Sequence, residues 1–157
     1  MMLRFGLMVA SLMLLAATPS LARPIPPGGV TADEVAAALR DKGYKAEITK
    51  DAEGDPKVES GADGTPFAVA FYDCKNSRCA SVQFVAAFDL KNGLTYSDIN
   101  AWNRKNRFGK GHLDDEMDPF LEYSVDFEVG ATTEAVGNAI EVWVAVLPIF
   151  KTHVGFK

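Results

Sequence analysis

The only two cysteines of the 157-residue chain, Cys74 and Cys79, are separated by four residues in the stretch "FYDCKNSRCASVQF". Cysteines at this spacing could form a disulfide, a redox-active pair or part of a metal site. If the stretch is an antiparallel hairpin with a loop at residues 75–78, the two cysteines face each other within the Cα separation that a disulfide requires. We therefore predict a structural Cys74–Cys79 disulfide that fixes the register of the hairpin.

Two other interpretations of the cysteines stay open at this point. A redox pair normally has two intervening residues at a helix start, which lowers the thiol pKa, whereas here there are four residues in a predicted turn. A zinc site would need His112 and His153, which lie far along the chain and lack H-x(3–5)-H spacing. The acidic stretches "DAEGDP" and "DDEMD" do not fit the calcium-loop pattern. We predict no metal site and no cofactor.

Catalytic motifs are missing from the sequence. The chain contains no G-x-S-x-G, S-x-x-K or HExxH motif. His112, followed closely by Asp114 and Asp115, is the one candidate general base with a carboxylate to orient it. Because no nucleophile is near it in the sequence, we predict that the protein is not an enzyme. An enzyme that uses His112 is the less favoured alternative.

The stretch "NAWNRKNRFGKGH" combines basic and aromatic residues, as single-strand nucleic-acid binders do. Its members are Trp102, Arg104, Lys105, Arg107, Phe108 and Lys110. We expect Trp102 to lie in the core and the acidic run at residues 114–118 to neutralise the basic side chains. We therefore predict no nucleic-acid binding.

Local signals predict three helices and six strands that position these residues. Capping patterns place helix starts after Thr31, Thr95 and Thr132. Strand signals lie in "YKAEITK", "PKVES", "PFAVAFYDC", "CASVQFVAAFDL", "RFGKGHL" and "PFLEYSVDFEV". The order α-β-β-β-β-α-β-β-α predicts an α+β fold with a mainly antiparallel sheet and the helices on one face.

Finer expectations concern the core. The two cysteine-bearing strands should form the middle of the sheet and bury both faces. The last strand should turn one alternating set of side chains inward, namely Leu121, Tyr123, Val125, Phe127 and Val129. The terminal helix should bury Val136, Ile140, Trp143, Leu147 and Phe150. Pro148 should kink or end this helix because its ring displaces a backbone hydrogen bond.

The first 22 residues have the pattern of an export signal. Arg4 gives a basic start, residues 5–17 are mostly apolar, and Ser20 and Ala22 form an S-x-A cleavage position. The apolar run is shorter than the roughly 20 residues that span a bilayer. We predict cleavage after Ala22, a periplasmic or secreted chain, and no stable membrane insertion.

Cleavage would leave 157 − 22 = 135 residues, which suits one domain. The signal contains one basic residue, so the mature chain has 15 basic and 21 acidic side chains and a net charge of about −6. Such a surface repels nucleic-acid phosphates. We predict a signal peptide at residues 1–22, a Pro/Gly-rich linker without regular structure at 23–29, and a single domain at 30–157.

Four stretches of the chain resemble the YbjN domain family: "FYDC…C…SVQFVAAFD", "TYSDINAWNRKNRFGKGHLDDE", "YSVDFEVGATTEAV" and "AIEVWV". The resemblance covers roughly residues 30–155. It implies a family of candidate bacterial sensory transduction regulators without an established catalytic residue. It also implies a fold similar to the type III secretion chaperones, which often dimerise and bind proteins. Those chaperones are cytoplasmic, whereas this chain has an export signal, so only the architecture and protein binding carry over.

We therefore predict a non-enzymatic exported adaptor or regulatory module that binds a protein partner, a second copy of itself being one option. The main alternative is a carrier of a small apolar ligand, held between the sheet and the terminal helix.

Overall fold

The computed structural model describes residues 22–129 and 131–157. The predicted signal peptide therefore lies outside the described residues except for Ala22, and its cleavage stays a prediction. The elements follow in chain order as α1 (Ala32–Asp41), β1 (Glu47–Lys50), β2 (Pro56–Ala62), β3 (Thr65–Lys75), β4 (Arg78–Ala87), α2 (Tyr96–Lys105), β5 (Lys110–Leu113), β6 (Pro119–Asp126) and α3 (Thr133–His153). This is the predicted order.

All three helices begin at the predicted threonine caps. The first two are complete capping boxes, in which Thr31 pairs with Glu34 and Thr95 pairs with Asp98. Each acidic side chain in turn accepts a hydrogen bond from the N–H of its cap residue, so both partners satisfy backbone groups that a helix start leaves unpaired. The hydroxyl of Thr132 caps α3. These starts depend on residues three apart, which explains why the sequence predicts them correctly.

The six strands form one sheet in the order β1-β2-β3-β4-β6-β5, and every neighbouring pair is antiparallel. The cysteine-bearing strands β3 and β4 lie in the middle of it, as predicted. The fold class is α+β, and the predicted mainly antiparallel sheet is confirmed.

The core lies on the face of the sheet that the helices cover. A row of apolar side chains crosses this face through Val58, Val69 and Phe84, all fully buried. Trp143 of α3 stacks on Phe84 with ring centroids 5.6 Å apart and meets Phe67 edge-on at 5.7 Å. The five predicted inward residues of α3 are all buried. Aromatic packing against β3 and β4 therefore holds α3 on the sheet.

The opposite face of the sheet is not buried, which corrects the prediction that β3 and β4 bury both faces. Burial alternates along both strands, and Ala68, Ala70, Gln83 and Val85 are only half-buried. The reason is that the three described helices lie on one face, so none of the described residues forms a layer against the other face.

Two further details differ from expectation. Val129 is 91% exposed rather than buried, because β6 ends at Asp126 and the chain turns there, with Asp126 Oδ1 accepting a hydrogen bond from the N–H of Glu128. Of the other predicted inward residues, Leu121 and Phe127 are buried, whereas Tyr123 and Val125 are half-buried. Pro148 does not end α3, which continues to His153.

Among the described helices, α3 alone is long and apolar enough to cross a membrane by length and composition. The core helix of a globular domain passes the same test, and α3 buries seven side chains in this fold. The predicted lack of membrane insertion stays a prediction.

Candidate functional site

The two cysteines lie opposite each other at the tip of the β3–β4 hairpin. The structure joins them by a disulfide, with their Cα atoms 3.9 Å apart. This separation is slightly below the usual range of about 4.4–6.8 Å. Lys75 pairs with Arg78, so the connecting loop has two residues rather than the four expected. Asn76 and Ser77 both have positive φ, at 52° and 65°, which is the type I′ geometry that suits a tight hairpin.

The hairpin tip is bonded to the segment before α1, residues 23–30, which we call the N-terminal strap. Val30 and Cys79 exchange two backbone hydrogen bonds, of 3.0 and 2.8 Å. At its other end the strap is fixed to the start of α3, where the N–H of Ile25 donates to the carbonyl of Ala131 at 2.9 Å. The strap forms no helix or strand, but isolated β-bridges at Pro24 and Val30 bond it to the domain at both ends.

Arg78 joins the hairpin tip to both the strap and α1. Its guanidinium donates to the carbonyl of Gly29 at 2.6 Å and to both carboxylate oxygens of Glu34 at 2.8 and 3.1 Å. Burial alone would raise the pKa of Glu34, but hydrogen bonds from Arg78 and Thr31, together with the charge of Arg78, outweigh it and hold that pKa below its ordinary value. Nothing in the sequence spacing indicates this pair, because its members are 44 residues apart.

The candidate base His112 has a different partner from the one predicted. Its Nδ1 lies 3.8 Å from a carboxylate oxygen of Glu122, and its ring stacks on Phe120 at 5.1 Å. Asp114 instead accepts hydrogen bonds from the backbone N–H groups of its own turn. The correction arises because β5 pairs with β6, which places Glu122 beside the imidazole. His112 is exposed, and the arrangement amounts to a surface pair that attracts when the imidazole is protonated.

The second histidine is remote from the first in the fold. His153 packs against Trp102 at 5.4 Å, and its Nε2 lies 3.1 Å from the carbonyl oxygen of Asp98. Within residues 22–129 and 131–157, no group of three His, Cys, Asp or Glu side chains could hold a metal ion.

The basic residues around the end of α2 form an exposed patch with one aromatic ring, which we call the basic–aromatic surface. Its members are Arg104, Lys105, Arg107, Phe108 and Lys110. The Arg107 guanidinium lies 5.5 Å from the centre of the Phe108 ring, and Phe108 is 43% exposed. None of the four cations forms an ion pair with an acidic side chain in the described part of the chain.

The prediction that the acidic run neutralises these cations is wrong. Lys110 begins β5 and the acidic turn follows Leu113 at its other end, so the two groups are separated by the length of the strand, roughly 13 Å. Glu122, opposite Lys110 in the sheet, faces His112 instead. The two charged groups are close in sequence, but an extended strand between them places them far apart in space.

The basic–aromatic surface rests on a rigid support. Trp102 is buried, as predicted, and its indole N–H donates to the carbonyl of Gly109 at 2.9 Å. The side-chain amide of Asn103 bonds both backbone groups of Gly111, accepting from the N–H and donating to the carbonyl, each at 2.9 Å. Asn103 therefore satisfies the free edge of β5 and fixes α2 to it. Asparagine has a poor helix propensity, and the two hydrogen bonds with Gly111 offset that cost.

Beside this surface, the edge of β6 is open. β5 pairs with β6 only as far as Glu122, so within the described part of the chain Tyr123–Asp126 have β4 as their only strand neighbour. Phe108 meets Tyr123 edge-on at 6.0 Å, which joins the basic–aromatic surface to the open edge. Burial raises the pKa of the Tyr123 phenol. The sequence analysis missed this edge because strand pairing was not predictable to the residue.

The space that a ligand carrier would need between the sheet and α3 is occupied by Trp143, Phe67 and Phe84. Two hollows at the surface are a groove of about 570 Å³ between α1 and the start of α3, and a wider one of about 810 Å³ beside β1 and β2. The carrier alternative stays a hypothesis without a specific feature of the described residues in its favour.

The protein is thus an α+β domain with one antiparallel sheet and a buried aromatic core, and a fold of this kind does not by itself determine a function. The chain matches the model of the YbjN family, described as "Putative bacterial sensory transduction regulator", over residues 31–156, or 126 of its 157 residues. The chain belongs to the YbjN family, as the sequence resemblance indicated. No curated protein matches it. Family membership suggests a regulatory or adaptor role.

Proposed function

We propose that this protein is an exported, non-enzymatic regulatory module that binds a protein partner through the basic–aromatic surface. The observation that carries the proposal is the set of four exposed cations that form no ion pair with any acidic side chain among the described residues, on a chain whose net charge after the predicted cleavage is about −6. Export is supported by the signal pattern of the first 22 residues. The regulatory role is supported by family membership.

The partner that fits this surface is an extended acidic segment of another protein. Arg104 and Arg107 can each hold a carboxylate through two parallel hydrogen bonds, and Lys105 and Lys110 add positive charge. Carboxylates of a partner would be attracted to this patch and repelled by the acidic remainder of the surface. Charge therefore selects both the partner and the place where it binds.

The neighbouring edge of β6 favours an extended conformation in the partner. The N–H of Phe127 donates to the carbonyl of Ala80 in β4, and backbone groups alternate in direction along an antiparallel strand. The backbone groups of Ser124 and Asp126 therefore point away from β4 and are open to an added strand. Phe108 and Tyr123 would receive an apolar side chain of that strand.

Charge reversal tests the surface. We expect the double variant Arg104→Glu/Arg107→Glu to lose at least tenfold in affinity for an acidic partner, because attraction becomes repulsion. Lys50→Glu/Lys91→Glu is the matched control, since it makes the same change in net charge at exposed positions elsewhere. Partners would be captured by in-cell crosslinking of the exported protein and identified by mass spectrometry. Binding of polyglutamate would then be measured by calorimetry at two salt concentrations.

Three outcomes would contradict the proposal. One is equal capture by both double variants. Another is tighter binding of a single-stranded oligonucleotide than of polyglutamate at the same salt concentration, which would assign the surface to nucleic acid. The third is a dimer that dissociates on charge reversal of Arg104 and Arg107, which would make a second copy of the chain the occupant.

A further inference from the structure

We propose that the Cys74–Cys79 disulfide is a redox-sensitive latch that holds the N-terminal strap against the domain. In this role the cysteines catalyse no electron transfer. Their bridge keeps the hairpin tip in the conformation that binds the strap, and reduction loosens both. This inference is independent of the partner proposed for the basic–aromatic surface.

The hairpin tip makes the hydrogen bonds that hold Gly29 and Val30, while the N–H of Gly28 donates to the carbonyl of Glu128. Cys79 exchanges two backbone hydrogen bonds with Val30, and Arg78 donates to the carbonyl of Gly29. Gly29 fits so closely that a Cβ on it would lie 1.9 Å from the carbonyl oxygen of Cys79. The strap thus depends on the exact position of the backbone at residues 78–79.

The conformation of this tip is locally strained. Three non-glycine residues within it have positive φ: Asp73 at 55°, Asn76 at 52° and Ser77 at 65°. Asn76 and Ser77 form the turn, but Asp73 lies within β3, where an extended conformation would be normal. Such residues persist only where the surrounding structure enforces them. The disulfide links the two strands between Asp73 and the turn. Its loss would therefore remove the covalent constraint that keeps these residues at positive φ.

Reduction of this bridge by a dithiol is chemically accessible. Cys74 is half-buried whereas Cys79 is fully buried, so an attacking thiolate would reach Cys74 Sγ. Attack forms a mixed disulfide at Cys74 and releases the Cys79 thiolate, which takes up a proton. The second thiol of the dithiol then displaces Cys74 as its thiolate, which is also protonated. The products are two protein thiols and the oxidised dithiol, so two electrons have moved.

Release of the strap would change the surface of the domain. Val30 is 0% exposed when the strap is bound, and its release from the tip would expose its side chain and the apolar surface that it covers, whereas Ile25 stays bonded to Ala131 before α3. Glu34 would also lose the guanidinium of Arg78, since the tip holds the two together. Reduction of the disulfide would therefore increase the exposed apolar area beside α1 and change the charge there.

Hydrogen exchange with mass spectrometry tests the latch on the purified protein, oxidised and after treatment with dithiothreitol at the same pH. We expect residues 23–31 to exchange faster on reduction by roughly 10- to 30-fold, the factor expected for a bridge that closes so short a loop. Residues 56–70, in β2 and β3 away from the tip, should change little and serve as the internal control. Cys74→Ser/Cys79→Ser should match the reduced protein and show no response to dithiothreitol.

The proposal is overturned if residues 23–31 exchange equally in both redox states. It is also overturned if residues 56–70 accelerate by the same factor, because the disulfide would then stabilise the whole fold rather than the strap. Should the serine variant fail to fold, reduction of the folded wild-type protein still decides between these outcomes.

Discussion

At the scale of single residues, Gly29 is the position where the strap and the β3–β4 hairpin approach most closely. Its φ is +94°, and a Cβ would lie 1.9 Å from the carbonyl oxygen of Cys79, far inside the van der Waals contact distance. Gly28 has almost the same φ, +95°, but a Cβ there would meet no atom of the described residues within 4 Å. Comparing substitutions of these two glycines therefore separates the cost of the backbone conformation from the cost of the steric contact.

We predict that Gly29→Ala destabilises the protein by more than about 3 kcal/mol, because backbone displacement adds to the cost of a left-handed conformation. Gly28→Ala should cost about 1–2 kcal/mol, since only the conformational term applies. Denaturant unfolding of both variants measures the difference. Equal free energies of unfolding for the two variants would show that the strap does not pack on the hairpin as described.

The sequence identified Gly28 and Gly29 as flexible positions but could not distinguish them. Both glycines look alike when only the adjacent prolines and the start of α1 are considered. What separates them is the carbonyl of Cys79, which is 50 residues further along the chain. The close approach became visible only with the fold.

At the scale of elements, the pair between Glu34 and Arg78 joins the start of α1 to the hairpin. The pKa of Glu34 is lower in the folded state, so the unfolded chain binds this proton first as the pH falls. The contribution of Glu34 to the free energy of unfolding is therefore fully present above the pKa that Glu34 has in the unfolded chain. This contribution is lost as the pH falls through the pKa that Glu34 has in the folded protein.

We predict that Glu34→Gln reduces the loss of stability between pH 6 and pH 3 by about 0.5–1 kcal/mol, the scale of a partly exposed ion pair. The exposed Glu53, which has no ion pair among the described residues, offers Glu53→Gln as the control. Thermal unfolding at both pH values provides the measurement. A pH dependence unchanged by Glu34→Gln would mean that the pair is not formed in solution.

Elements with local signals were predicted well. Helix starts depend on side chains three residues from the cap, and the strands show alternation that a short window contains. The extent of burial was less predictable. Val129 continues the alternation of β6 in the sequence, yet it is exposed because the strand ends three residues earlier. The end of a strand depends on its neighbours in the sheet, which a local pattern does not specify.

At the scale of the whole molecule, the chain is acidic, with a net charge of −5, but its charges are segregated. The cations of the basic–aromatic surface cluster at one end of β5, and the acidic turn lies at the other. An acidic protein with a local basic patch can attract an acidic segment over a short distance while repelling it elsewhere. The binding proposal depends on this separation.

The start of the mature chain also belongs to this scale. We predict that the exported protein begins at Arg23, and intact-mass and N-terminal analysis of the periplasmic fraction would check it. The N–H of Arg23 donates to the hydroxyl of Thr133 at 3.0 Å, so the new terminus would lie beside the start of α3. Recovery of the protein in the cytoplasm with its first 22 residues intact would contradict both the cleavage site and the export.

The sequence by itself determined the helix caps, the strand order along the chain, the central place of the cysteine hairpin and the family. Each of these depends on residues close together or on composition. Only the tertiary structure decided the partner of His112, the separation of the basic and acidic groups, the open edge of β6 and the contact between Gly29 and Cys79. These features join residues distant in sequence, and strand pairing and packing, rather than local preference, set the distances between them.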